Sequence, residues 1–384
     1  MSLALAPQFA EPDLQSLVAE FAERAGRYDR EASFPYENFA RLKKGGWLAL
    51  TVPRAYGGEG VSLSRAADAI GTVAQGCAST GLVFAMQLTQ QAQLARSEYV
   101  PEAVRAHIAA DAVRHGGLLN ALRVEPELGS PTRGGLPQTT LRRASDGRLL
   151  LSGRKIYSTG APGLAWMSVW ARNDADDPWV GHVLVPARSP GIRIEESWDH
   201  LGMRATGSHD VVFENVEIAP EYAAGLRPPA FWSKPDPVQA NWNAVGLGAL
   251  YTGIARAARE WIIQFLRNRV PSGLGQPLAT LPRMQEKVGE IDGILAVNAR
   301  LISSLAEGVD RAQPASVAEA HLLKAALVDN AVRAVQLAAS LAGNHAHSRS
   351  NPIERHLRDV LCGPVHVPVT EAAHSNAGRA SLLA

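Results

Sequence analysis

The chain has 384 residues, 46% of them hydrophobic and 20% charged, which is long enough for two or three domains around a large core. Its net charge of +1 creates no field to gather nucleic acid or an anionic membrane. No apolar run is long enough to span a bilayer, residues 1–12 lack the segments of a signal peptide, and Cys77 and Cys362 form no paired motif, so a cytoplasmic protein without zinc is expected.

Leu14, Leu17, Val18, Phe21, Ala22 and Ala25 recur at helical spacing, so an amphipathic helix opens the chain. A second helix is predicted from near Pro35 through Leu48, ended by Tyr56-Gly57-Gly58-Glu59-Gly60. Leu63 to Gln75, Thr80 to Ser97 and Pro101 to Val113 read as further helices, giving an all-α N-terminal domain over 1–113. The pattern then changes to short runs rich in Val, Ile, Leu and Trp, including Trp166 to Ala171 and Gly181 to Val185. Turns such as Asp146-Gly147 separate them, and this predicts an antiparallel β domain over 114–225. Residues 226–240, rich in Pro and Trp, read as a crossing loop. Three apolar stripes follow, on Leu247 to Phe265, Met284 to Ile302 and Leu323 to Ala338, so 226–384 is predicted as a helical bundle.

Three ordered pieces of the β region carry the strongest signal. They are Val124-Glu125-Pro126-Glu127-Leu128-Gly129-Ser130-Pro131, Gly153-Arg154-Lys155-Ile156-Tyr157-Ser158-Thr159-Gly160, and Leu201-Gly202-Met203-Arg204-Ala205-Thr206-Gly207-Ser208. Singly, each reads as a turn, since Gly, Pro, Ser and Thr are what turns are made of. In this order, between two helical regions, they resemble the acyl-CoA dehydrogenase superfamily, and the resemblance covers nearly the whole chain. It implies an acyl-CoA dehydrogenase-like fold: an all-α N-terminal domain, a central antiparallel β-barrel domain and a C-terminal four-helix bundle. It also implies FAD or FMN as cofactor and a homodimer or homotetramer, because family members complete each cofactor site with the partner subunit.

By the same resemblance, Thr159 lies near the flavin N5, with Ser158 in the same segment and Tyr157 packed against the ring. Val124 and Ser130 serve the pyrimidine end; Val124 replaces a common threonine, so only its backbone can act. Arg269 is the implied phosphate partner at a helix end, with Gln285 beyond it. The aromatic residue usual after that Arg is missing, and Ala342-Gly343-Asn344-His345 departs from the usual glycine-rich turn, so FMN stands beside FAD.

Dehydrogenation of an acyl thioester needs a carboxylate to take the α-proton. Family members carry a Glu at one of two places, which fall here on Val367, counted from Arg358-Asp359, and on Asn243. Neither accepts a proton from carbon. Arg355-His356-Leu357-Arg358-Asp359 followed by His366 instead resembles the monooxygenase branch, typified by dibenzothiophene monooxygenase and the 4-hydroxyphenylacetate hydroxylase oxygenase. There, reduced flavin from a separate reductase meets oxygen and a small organic substrate. His366 is the candidate catalytic residue because its ordinary pKa lies near neutrality; the competing reading is a structural histidine near a helix end. His345, His347 and His374 read as surface, and Gln87 or Gln90 as facing either a pocket or the core. The reading that leads is an oxygenase component. An acyl-CoA dehydrogenase and a non-catalytic flavin-fold binder are the alternatives.

Overall fold

The computed structural model describes residues 14–127, 135–234 and 236–383. Five helices come first: α1 (Leu14–Glu31), α2 (Tyr36–Lys44), α3 (Leu63–Gly76), α4 (Ala78–Ala95) and α5 (Glu102–His115). In α1 the predicted stripe is real, since Leu14, Leu17, Phe21, Ala25 and Tyr28 are buried along one face. α4 is buried on nearly every side, as expected of a helix in the middle of a core rather than at its edge.

Eight strands follow: β1 (Leu118–Leu122), β2 (Thr140–Arg143), β3 (Leu149–Lys155), β4 (Leu164–Asn173), β5 (Val180–Pro186), β6 (Ile192–Glu195), β7 (Asp210–Ile218) and β8 (Gly225–Arg227). They form one sheet in the order β6-β7-β3-β2-β4-β5-β8, with β1 added beside β4. The Asp146-Gly147 hairpin joins β2 to β3 as expected, with Thr140 opposite Ser152. The wholly antiparallel expectation is corrected, because β4 pairs in parallel with both β1 and β2. Turn residues encode only pairings between neighbours in sequence, and these two join strands separated by other elements. Among the described residues no pairing joins β6 to β8.

The last part holds α6 (Pro229–Trp232), α7 (Pro237–Asn268), α8 (Pro282–Asp310), α9 (Val317–Ala342), α10 (Pro352–Val360) and α11 (Thr370–Leu383). The predicted loop at 226–240 is shorter than expected. Leu226 pairs with Gly181, and α7 starts early because Asp236 accepts the Gln239 N–H as N-cap, with Pro237 in the first turn. On α9 the Ala-rich stripe is buried at Leu327, Ala331, Ala334 and Ala338, which lets the long helices approach closely. Asn298 on α8 donates to Thr252 Oγ1 at 3.0 Å and to the Leu327 carbonyl at 2.9 Å, so one buried amide ties the three long helices together. No described helix is long and apolar enough to cross a membrane. Arg358 on α10 joins all three regions: it pairs with Asp29 of α1 at 2.6 Å and donates to the Leu201 carbonyl, between β6 and β7, at 2.8 Å.

Candidate flavin site

The fold brings together all three pieces singled out in the sequence. Ile156 donates its N–H to the Val124 carbonyl at 3.0 Å, Ser158 to the His209 carbonyl at 3.1 Å, and Gly160 to the Thr206 carbonyl at 2.9 Å. A buried ion pair fixes the first piece to the second. Lys155, wholly buried, meets Glu125, 1% exposed, at 2.7 Å. Glu125 also accepts from Gln138 N at 2.7 Å, Thr139 N at 2.9 Å and Thr139 Oγ1 at 2.6 Å. Burial works to raise the Glu125 pKa, but Lys155 and the Thr139 and Gln138 donors outweigh it and hold the carboxylate below its usual range. Burial pushes Lys155 down to about 8, so both groups are charged at neutral pH. Gly153 is required beside them, because a Cβ there would lie 2.4 Å from Thr139 Oγ1.

Tyr157 has φ 55°, a left-handed conformation that costs a residue with a bulky side chain about 1–3 kcal/mol. The residue is 55% exposed, and its ring meets Trp198 and His200 edge-on at 6.2 and 6.0 Å, while those two rings stack at 3.6 Å. Beside it the Ser158 hydroxyl is buried and has no hydrogen-bond partner among the described residues. Thr159 is partly buried. Its carbonyl accepts from Asn120 Nδ2 at 2.8 Å, and its hydroxyl accepts from Ser208 Oγ at 3.0 Å. An open aromatic face, an orphaned hydroxyl and a threonine hydroxyl side by side fit the edge of a flavin ring, which is flat and rich in acceptors. Ser130 lies outside the described residues.

The other predicted residues lie elsewhere. Arg269 caps the C-terminal end of α7 and is exposed; its carbonyl accepts from Leu278 N at 2.9 Å, closing the following turn. Gln285 is exposed in the first turn of α8, with Nε2 donating to the Ala279 carbonyl at 3.1 Å. Among the described residues neither is hydrogen-bonded to Tyr157, Ser158 or Thr159.

His366 is partly buried after α10. Its ring lies 5.7 Å from that of Tyr251, whose hydroxyl is fully buried without a partner among the described residues. Lys324, 1% exposed, donates to the His366 carbonyl at 2.8 Å and to the Pro368 carbonyl at 3.1 Å, pinning this turn. Burial first, and the Lys324 charge second, push His366 down to about 4. The near-neutral pKa expected from sequence is therefore corrected, because the ring is desolvated beside a cation. The two positions counted out from the sequence as candidate base sites are solvent-facing: Val367 is 40% exposed, and Asn243 is exposed and accepts from Gln239 Nε2 at 3.0 Å.

Asp359 is the buried carboxylate of this end, 3% exposed, and it accepts the Met203 N–H at 2.6 Å. It thereby anchors the third piece to α10. Burial pushes its pKa up to about 6, against the Met203 donor and nearby arginines. The folded chain therefore holds this proton more tightly than the unfolded chain does, and stability falls as pH rises from about 4 to 6. Asp359→Asn keeps an acceptor for Met203 and removes the ionisation. In chemical denaturation it should be more stable than wild type above pH 6, by about 3 kcal/mol, with the difference vanishing below pH 4.

Several of these residues were not singled out from the sequence as parts of a site. Glu125, Lys155, Thr206 and Ser208 lie inside the quoted pieces but read as turn and strand residues. Buried charge in a β region was the available signal for the first two. Gln87 is structural: its amide group binds the Leu48 and Gly117 carbonyls and the Leu119 N–H, at 2.9, 3.2 and 2.6 Å. Trp232 packs against Tyr99 and Trp170, and Trp242 is buried in α7. Among the described residues no group of three or more His, Cys, Asp or Glu side chains is arranged to hold a metal ion.

Comparison with known proteins bears on the whole chain. Residues 11–109, 123–216 and 245–371 match the profiles of the acyl-CoA dehydrogenase N-terminal, middle and C-terminal domains. The sequence is 32% identical to "Putative acyl-CoA dehydrogenase YdbM" of Bacillus subtilis, over 93% of this chain and 92% of that one. It is 28% identical to the L-evernosamine nitrososynthase of a Micromonospora species, over 91% of this chain and 84% of that one. KijD3, solved with FMN and dTDP-3-amino-2,3,6-trideoxy-4-keto-3-methyl-D-glucose, superposes with a TM-score of 0.84 at 26% identity, covering 96% of this chain and 92% of its own. Butyryl-CoA dehydrogenase from Megasphaera elsdenii superposes at 0.85 with 20% identity over 100% of both chains, a likeness of fold.

Proposed function

The chain belongs to the acyl-CoA dehydrogenase superfamily of flavin-dependent enzymes, and on that footing we propose that it is an oxygenase component acting on a small organic substrate with reduced flavin and O2. The observation that carries the reading is the pair of side chains at the family's base positions, Val367 and Asn243. Neither takes a proton from carbon. The nearest carboxylates along the chain are otherwise placed: Asp359 is buried against Met203 N, Glu371 is exposed on α11, and Asp236 accepts the Gln239 N–H as the N-cap of α7. Similarity to a nitrososynthase and to the FMN complex of KijD3 points the same way.

Tyr157, Ser158, Thr159 and the Val124 backbone would hold the isoalloxazine. Arg269 and Gln285 would serve the phosphate end of a neighbouring subunit's FMN or FAD in a homodimer or homotetramer. Bound flavin supplies two-electron redox chemistry and, when reduced, the electrons for oxygen activation. The chain's own work is to seat the ring on the Tyr157 face, donate from Ser158 and Thr159, and exclude water. His366, neutral at working pH, offers one ring N–H and one lone pair to the substrate. The sheet would wrap as a barrel, the long helices would form the four-helix bundle of the family, and a separate cytoplasmic reductase would deliver the reduced flavin.

The test pairs two measurements on protein loaded with FMN or FAD. Under argon, a panel of acyl-CoA thioesters should leave the flavin yellow. In air, with NADH and an added flavin reductase, candidate aromatic and amino-bearing substrates should be recovered with an oxygen atom added. Bleaching of the flavin by any acyl-CoA without the reductase would instead establish the second reading, a dehydrogenase, which similarity to YdbM favours.

A further inference from the structure

Arg123 is a cation for which the fold supplies no anion. It follows β1 by one position. Leu122 lies opposite Val169, so Arg123 comes beside Trp170, with its guanidinium 5.3 Å from the centre of that ring. Among the described residues it forms no hydrogen bond or ion pair, and Tyr99 is the one ionisable group that favours its charge. Arg123 is exposed, yet the protein around it pushes its pKa down through burial, a combination that places it in a cleft and not on an open surface. Strand alternation puts it on the sheet face that carries Ala121 and, from β4, Ser168 and Trp170. Ser168 Oγ and His182 Nδ1, 2.9 Å apart, floor a recess of about 30 Å3 against the end of α4, room for a water. The recess shares Gln93, Ser97 and Tyr99 with an open cavity of about 410 Å3, whose aromatic walls are Tyr99 and Phe231. Trp232 meets both Tyr99 and Trp170 edge-on, at 5.3 and 5.0 Å, and so carries the aromatic row to Arg123. The other formal charges along this row cancel. Arg96 and Arg227 in the cavity wall are offset by Glu98 and Asp236, and Lys155 is offset by Glu125. Burial first, and the Arg123 charge second, push His182 down to about 3, so that ring is neutral. The charge left over is that of Arg123.

We propose that Arg123 is an anion-binding residue, and that the molecule held along this row is a small organic carboxylate with a flat apolar body. The planar guanidinium gives two parallel N–H bonds to a carboxylate, and no described acceptor competes for them. The Trp170 face alone offsets only part of the cost of a hemmed-in, unpaired cation. The aromatic row takes up the body of the ligand, and the missing negative charge admits an acid in preference to its neutral amide. The inference rests on the oxygenase reading above and deepens it by naming the charge of the substrate. Arg123 directly precedes Val124, which joins this cleft to the proposed ring segment.

The test is calorimetric titration of the FMN-loaded and the flavin-free protein with benzoate, phenylacetate and naphthoate, each beside its amide. At least one acid should bind about tenfold more tightly than its amide, as expected of hydrogen bonds to a charged group. Arg123→Met should erase that preference by weakening the acid alone. Arg123→Lys, which keeps the charge and loses the fork, should retain part of it. Ligand-free Arg123→Met should melt no lower than wild type, because the cation removed has no partner; a clear fall would show a side chain that serves packing on Trp170 and would count against the site. No acid preferred over its amide, or a preference that survives Arg123→Met, overturns the inference. So does a loss of FMN affinity in Arg123→Met with acid binding unchanged, which would make the cofactor the anion. The two readings fail separately. An acid held through Arg123 by a protein whose flavin is bleached by acyl-CoA keeps the anion site and removes the oxygenase, whereas oxygen added to a neutral substrate, with no acid bound, does the reverse.

Discussion

Lys155→Met should be the most damaging single change in the β domain, lowering stability by about 3–5 kcal/mol in urea denaturation. Methionine fills most of the space of the lysine stem, so the loss is that of the charge. It leaves Glu125 as a buried carboxylate, 1% exposed, with only the donors from 138 and 139 to hold it. The pH dependence should reverse as well. In the wild type Glu125 titrates below its unfolded value, so its contribution is present above about pH 4.3 and is lost as pH falls through the lower folded pKa. Without Lys155 burial dominates, the folded pKa rises above the unfolded one, and stability falls as pH rises through that window. Glu125→Gln combined with Lys155→Met should recover more than half of the loss, since a neutral amide oxygen still accepts one of the two backbone N–H groups. A double variant as unstable as the single one would show that the lysine acts through packing and not through charge. Flavin affinity should follow the same order, because Val124, next to Glu125, accepts the Ile156 N–H just before Tyr157.

The legibility of the chain varied with the range of the interaction. Helical stripes such as Leu14, Leu17, Phe21 and Ala25 are local patterns, and the structure buries them as the spacing predicts. The Asp146-Gly147 hairpin is local too. The parallel pairing of β1 with β4 is not, because no nearby turn announces that Asn120 will lie opposite Met167. The site follows the same rule. Tyr157, Ser158 and Thr159 are adjacent and were legible as one segment. The Ser208 hydroxyl reaches Thr159 across 49 positions, and Lys155 reaches Glu125 across 30, so both pairs became visible only once the sheet fixed their distance. The His366 pKa was misread for a related reason. Sequence supplies the imidazole and its ordinary pKa, but desolvation and the Lys324 charge, 42 positions away, are properties of the packed turn.

His366→Ala should separate oxygen uptake from product formation. If the neutral imidazole holds or deprotonates the substrate, its loss should cut oxygenated product about a hundredfold, the usual worth of one acid–base group. Oxygen uptake should continue, because flavin and reductase remain and unproductive turnover yields peroxide. The pH profile supplies an independent check. Burial and Lys324 hold His366 down to about 4, so the ring is neutral throughout the working range. Product formation should therefore show no rise attributable to this histidine between pH 5.5 and 8, on the order of what a group titrating near 4 allows. Stability carries the matching sign. The unfolded chain takes up this proton below about 6.5 and the folded chain only below about 4, so His366 makes the wild type lose stability as pH falls through that interval. Lys324→Met gives the reverse result. It removes the positive charge and both hydrogen bonds that pin the 366–368 turn, so the His366 pKa should climb and a pH limb should enter the product profile. A wild-type limb already near 6.5, with Lys324→Met unchanged, would place His366 in solvent and remove it from the chemistry.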